Sequence, residues 1–221
     1  MLPVLLEVVI MSVLHPRFEF RAFAQTFGIV EDKIRRDSVC HDIGESTETY
    51  LIAFGVEEQN VKVRDGRLAI KRLVERRQHL ERWEPVMDEA FPVSRALLHT
   101  TLLPALRCRE ANLGRSVYAC HELLDDVIGP RRDVWRACVF KRRFRFTIDE
   151  CPTEIDELLI NGAAIRSVAV ESEDAEAVVT VVDKLGVSAY ENINYPRAIR
   201  RIIGLESVPH EDVYYGQRNR T

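Results

Sequence analysis

The chain has 221 residues, the length of one ordinary domain. With 46% hydrophobic and 30% charged residues, it has the makeup of a globular protein able to bury a substantial core. A net charge of −4 excludes a global attraction to nucleic acid or to an anionic membrane, so any polyanion site has to be local.

Residues 1–14, M-L-P-V-L-L-E-V-V-I-M-S-V-L, are apolar but too short for a transmembrane helix. They also lack the basic region and cleavage site of a signal peptide. They read as an apolar extension that packs on the body or on a neighbouring subunit, so a homo-oligomer stays open. Met11, close to the first strand, is an alternative start to Met1. Residues 15–204 then read as a single domain and 205–221 as a polar tail.

Phe18 and Phe20 alternate with Arg17, Glu19 and Arg21, which predicts a strand at 16–23. Lys33, Arg35 and Arg36 read as the solvated face of a helix. A strand follows at 47–54, T-E-T-Y-L-I-A-F. In N-V-K-V-R-D-G-R-L-A-I-K-R-L (60–73), Asp65-Gly66 is the pair favoured by a two-residue hairpin turn, because both positions need φ > 0. Closing it joins strands 59–64 and 67–73. It pairs Arg64 with Arg67, Val63 with Leu68, Lys62 with Ala69 and Asn60 with Lys71. Side chains alternate with a period of two, so Val61, Val63, Leu68 and Ile70 share one face. Lys62, Arg64, Arg67 and Lys71 crowd the other, where like charges repel.

A strand at 80–84 comes next, then helices at 93–108 and at 116–128, the second capped by Ser116 and stopped by Gly129-Pro130. The strand at 134–148 alternates again, with Lys141, Arg143 and Arg145 opposite Phe140, Phe144 and Phe146. Asn161-Gly162 closes a second hairpin, 153–160 with 164–172, pairing Leu158 with Ile165, Asp156 with Ser167 and Glu154 with Ala169. Glu154, Asp156, Glu171 and Glu173 then fall on one face, a cluster that needs cations or a metal to neutralise it. Helices at 174–185, ended by Gly186, and from Tyr195-Pro196 to Gly204 complete the chain. Eight strands in hairpin-like order suit an α+β fold: a closed or nearly closed antiparallel β-tunnel whose basic and acidic faces look at each other, with helices packed outside.

Cys40, Cys108, Cys120, Cys138 and Cys151 show no C-x-x-C pair and no zinc spacing, which points to free thiols in a reducing cytoplasm. His15, His41, His79 and His121 read as surface or loop residues, and Trp83 and Trp135 as core or rim packing.

The run from Lys141 to Tyr195 resembles the C-terminal half of the CYTH superfamily, the triphosphate tunnel metalloenzymes. The resemblance is carried by Lys141 and Arg143, by T-E-I-D-E-L with Asp156, by the Asn161-Gly162 turn, by V-E-S-E with Glu171 and Glu173, by Leu185-Gly186 and by Tyr195. R-F-E-F-R at 17–21 is similar to the family's opening Glu-x-Glu-x-Lys motif, and T-Y-L at 49–51 and the basic hairpin follow it. The resemblance implies an eight-stranded tunnel in which Lys and Arg hold a triphosphate and glutamates hold one or two divalent metals, Mg or Mn.

On that basis Arg21, Lys62, Arg64, Lys71, Lys141 and Arg143 are candidate phosphate ligands for a small phosphorylated molecule. Glu19, Glu171, Glu173 and Asp156 are candidate metal ligands. The family's first glutamate falls on Arg17 and its lysine on Arg21. A guanidinium binds phosphate bidentately but does not activate water. Two readings therefore stand together: a metal-dependent phosphoanhydride hydrolase, and a non-catalytic nucleotide or polyphosphate binding module. The acidic net charge disfavours nucleic acid as the partner, and nothing points to a membrane.

Overall fold

The computed structural model describes residues 15–108 and 113–206. The expected apolar extension (1–14) and most of the expected polar tail (207–221) lie outside the described residues. In chain order the elements are β1 (Arg17–Ala24), α1 (Ile29–Asp37), β2 (Asp42–Ala53), β3 (Gln59–Arg64), β4 (Arg67–Arg77), β5 (Leu80–Ala90) and β6 (Val93–Ser94). After them come α2 (95–105), β7 (Val117–Tyr118), α3 (120–128), β8 (Val134–Ile148), β9 (Cys151–Ile160), β10 (Ala163–Ser172), α4 (Ala175–Leu185) and α5 (Tyr195–Ile202).

Eight strands close into an antiparallel barrel in the order β1-β10-β9-β8-β2-β3-β4-β5, with β5 returning to β1. This is the α+β tunnel with outer helices that the alternation patterns predict. Both predicted hairpins form in the predicted register. Asp65-Gly66 and Asn161-Gly162 all have positive φ, as the tight primed turn requires. The β4–β5 hairpin runs longer than its pattern suggests, because Glu75, Arg76 and Arg77 carry no apolar period. Ion pairs Arg82–Glu75 (3.5 Å) and Arg76–Glu81 (3.4 Å) join its two strands instead. The helix expected from 116 begins only at Cys120. Val117–Tyr118 pairs with β6 in a two-stranded ladder, and the Glu122 carboxylate caps the Ala119 N–H at 2.8 Å.

Period-two alternation sends one face of each barrel strand outward and one inward. Outside, α1 and α4 cover Phe18, Phe20, Phe146, Ile155, Val168 and Val170. The α2–α3 region covers Val61, Val63, Leu68 and Ile70 on the apolar face of the basic hairpin. Inside, α5 plugs one end: Tyr195 and Ile199 pack with Tyr50, Ile52, Val139, Leu158 and Ile160. Asn194 caps α5 by accepting from the Arg197 N–H, and Pro196 fits its first turn. Among the described residues no helix is long and apolar enough to cross a membrane.

Ile199 is fully buried in this plug. Ile199→Ala should therefore lower unfolding stability by about 2–5 kcal/mol through lost burial and a residual cavity. Urea denaturation measures it, and a loss under about 1 kcal/mol would show that α5 is not a packed plug.

Candidate functional site: a charged lumen

Beyond the plug the barrel encloses a cavity of about 320 Å³ lined by ionisable side chains of β1, β3, β4, β8, β9 and β10. A larger cavity, about 930 Å³, lies outside the barrel between α4 and the β4–β5 turn, against Phe20, His79, Val182 and Tyr190. It lacks the lumen's concentration of charge. The lumen has a basic wall and an acidic wall.

The basic wall is organised by Glu48, a fully buried residue of β2. Its carboxylate accepts from Lys62 Nζ at 3.0 Å, and Arg64 Nη1 and Lys141 Nζ lie at 3.5 and 3.8 Å. Burial alone would raise the Glu48 pKa. Lys141 and Lys62 outweigh it and hold the group far below the usual carboxylate range. Three cations on one carboxylate leave a local excess of positive charge. Burial, then the charge of Lys141, pulls Lys62 down to about 7 against the attraction of Glu48. Burial also lowers Lys141, whose ammonium sits 4.0 Å from the centre of the Tyr195 ring. Lys71 faces the same cavity and makes no ion pair or hydrogen bond among the described residues. The buried Tyr50 hydroxyl lies beside Glu48, and burial, then the charge of Glu48, raises its pKa well above the usual phenol range.

The acidic wall is organised by Arg21, 3% exposed. Its Nε donates to Glu19 (2.7 Å), and its Nη1 donates to Asp156 (3.0 Å) and Ser167 Oγ (3.1 Å). Its Nη2 donates to Glu154 (3.3 Å) and lies 3.8 Å from Glu171. Asp156 also accepts from the hydroxyls of Tyr195 (2.6 Å) and Ser167 (3.0 Å). Arg143 Nε is 3.4 Å from both Glu154 and Asp156. Burial opposes the ionisation of Glu19, but Arg21 overcomes it and lowers the pKa to about 2. Glu171, across the ladder from Glu19, is pushed the other way. Burial, then the charges of Glu19 and Glu154, raise it to about 7.

Of the residues singled out in the sequence, Glu19, Arg21, Lys62, Arg64, Lys71, Lys141, Arg143 and Glu171 all line this one cavity. Three placements differ from expectation. Arg21 is committed to carboxylates and offers an incoming anion no free face. Asp156 is sealed beneath the cavity floor with its oxygens already hydrogen-bonded. Glu173 lies past the last residue of β10, exposed and off the cavity wall. Arg17, half exposed, lies 3.9 Å from Glu171. Sequence reasoning did not single out Glu48 or Tyr50 as site residues, and it left Glu154 on the acidic face without a role. Glu48 lies between Thr47 and Thr49 on an inward-facing position of β2, shared with Tyr50.

The expected Mg or Mn set of Glu19, Glu171, Glu173 and Asp156 is not assembled. Among the described residues no group of three or more His, Cys, Asp or Glu side chains is arranged to hold a metal ion. The physical reason is Arg21: the point where the carboxylates converge is filled by its guanidinium. The residues present do not fit a divalent metal.

Because Glu48 is the only carboxylate within ion-pair distance of Lys62 and Lys141 among the described residues, Glu48→Gln should destabilise the fold by about 3–5 kcal/mol, the cost of breaking a buried ion pair. A denaturant midpoint unchanged from wild type would contradict this role.

No family model matches the chain, and no curated protein matches it. Among solved structures it is similar to a putative adenylyl cyclase from Hippeastrum described as having a dominant triphosphatase activity. That match has 10% identity and a TM-score of 0.47 and covers 87% of this chain and 98% of that one. It is also similar to a putative adenylate cyclase from Bacillus halodurans, with 10% identity, a TM-score of 0.47, and 84% and 97% covered. A third match is the PH1012 protein of Pyrococcus horikoshii OT3, with 14% identity, a TM-score of 0.46, and 81% and 97% covered. Likenesses at this distance carry no inference about chemistry, which rests on the lumen itself.

Proposed function

We propose that the tunnel binds a small phosphate-rich anion of the triphosphate type against its basic wall, without a divalent metal and without turnover. The observation that carries this reading is the imbalance around Glu48: Lys62, Arg64 and Lys141 share one buried carboxylate, while Lys71 lines the same cavity with no ion pair among the described residues. Charge-assisted hydrogen bonds from such donors are the strong interactions available to a polyphosphate. The buried Tyr50 side chain lines the same cavity. A volume of about 320 Å³ is near the lower end of small-molecule sites, roughly 300–1,000 Å³, and suits a compact anion better than a polymer. The reading agrees with the CYTH-type resemblance in ligand class and departs from it in the metal. Five free cysteines accord with a reducing compartment such as the cytoplasm.

Calorimetry with tripolyphosphate in EDTA at low ionic strength should show binding that weakens with salt. Lys62→Ala or Lys141→Ala should weaken it by roughly tenfold or more, the loss of one charged hydrogen bond. No binding by the folded wild type would remove the anion site. Phosphate release with Mg²⁺ or Mn²⁺ would remove the claim that no metal and no turnover are involved.

The pH dependence has a defined sign. As pH rises through about 7, Lys62 loses its positive charge and Glu171 gains a negative one. Both changes make the lumen more negative, so anion affinity should fall from pH 6 to 8, by up to about tenfold per pH unit for each proton linked to binding. An anion beside Lys62 raises its pKa again, so binding near neutrality should take up protons. Calorimetry in two buffers of different ionisation enthalpy reads that uptake. Affinity rising with pH would contradict the assignment.

A further inference from the structure

We infer that Arg21 is a resident counter-ion: its guanidinium fills the place among the lumenal carboxylates that a divalent cation would take, and those carboxylates become a divalent-cation site only when Arg21 is removed. Glu19 comes from β1, Glu154 and Asp156 from β9, and Glu171 from β10. All four lie within 3.8 Å of a nitrogen of this one side chain. Oxygen donors converging from adjacent strands are the ligand chemistry of Mg²⁺, Ca²⁺ and Mn²⁺.

The side chain is fixed from both ends. The Arg21 N–H donates to Asn192 Oδ1 at 2.8 Å, and its carbonyl accepts from the Ile193 N–H at 2.8 Å. The guanidinium carbon stands 4.8 Å from the centre of the Tyr195 ring, whose hydroxyl holds Asp156. The structure therefore holds the cation on its carboxylates instead of leaving it to a mobile arm. An arginine stays protonated at any working pH, so this positive charge cannot be titrated, chelated or exchanged.

The inference does not rest on the anion reading. A tunnel that failed to bind tripolyphosphate would leave it standing, because Mn²⁺ probes the acidic wall alone. Mn²⁺ titration, followed by the electron paramagnetic resonance signal of the free ion, should show no stoichiometric binding to the wild type at submillimolar concentrations. Arg21→Ala should bind about one Mn²⁺ per chain, and adding Glu154→Gln should weaken that binding by roughly tenfold or more. If Arg21→Ala is unfolded in EDTA, Mn²⁺ should restore its circular dichroism, since metal binding to the native state favours folding.

Three results would overturn the proposal. One is a wild type that binds one Mn²⁺ and loses it in Glu19→Gln. The second is a folded Arg21→Ala that binds none. The third is an unfolded Arg21→Ala that Mn²⁺ does not rescue.

Discussion

An enclosed lumen has to balance its own charge, and the rest of this structure follows from how it does so. Water is scarce inside a narrow eight-stranded barrel, so a buried charge without a partner costs several kcal/mol. The inward positions of β1, β3, β8, β9 and β10 nevertheless carry Glu19, Arg21, Lys62, Lys141, Arg143, Asp156 and Glu171. They are tolerated because the strand registers bring opposite signs together. Arg21 meets Asp156 only after β1 has paired with β10 and β10 with β9. Lys62 meets Glu48 only after β2 has paired with β3. The Tyr195 hydroxyl on Asp156 ties the plug helix to the same network, so closure of the barrel end and neutralisation of its interior are one event.

The balance is global and not local. Around Glu48 one carboxylate serves three cations, and on the acidic wall two cations, Arg21 and Arg143, serve four carboxylates. The lumen is thus polarised across its width. Lys62 pulled down to about 7 and Glu171 pushed up to about 7 are the two ends of that polarisation. Each is a charged form disfavoured by like charges beside it and by burial. An anion seated on the basic wall corrects the first imbalance, and its negative charge further disfavours the ionised form of Glu171 in the same cavity.

Much of the fold was legible in the sequence because its signals are local. The Asp65-Gly66 and Asn161-Gly162 turns set the register of two hairpins, and alternation along 134–148 set which side chains look inward. The pairing of β1 with both β5 and β10 closes the barrel, yet no short-range pattern states it. The extra length of β4 and β5 was hidden because both faces there are polar and are joined by ion pairs. The site was legible as residue types on faces, not as partnerships. Arg21 looked like one more basic residue, and only the three-strand convergence of carboxylates on it removes it from the anion-binding set. Glu173 continued the period of Glu171 on paper, but β10 ends at Ser172, and alternation has no meaning beyond the strand end. Glu48, a single acid between two threonines, had no local signal of its role because its three partners come from β3 and β8.

The division between lysine and arginine in the lumen follows the same physics. A buried lysine gives up its proton readily, as the lowered pKa values of Lys62 and Lys141 show. That is acceptable on the basic wall, where an arriving anion restores the charge. It would not serve at position 21. A neutral amine there would leave Glu19, Glu154, Asp156 and Glu171 facing one another, held by Arg143 and by the more distant Arg17 and Arg145. A guanidinium stays charged, and its fork of five donors reaches carboxylates of its own strand and of β10 and β9 at once. Position 21 is a lumenal place where permanence matters and exchange does not.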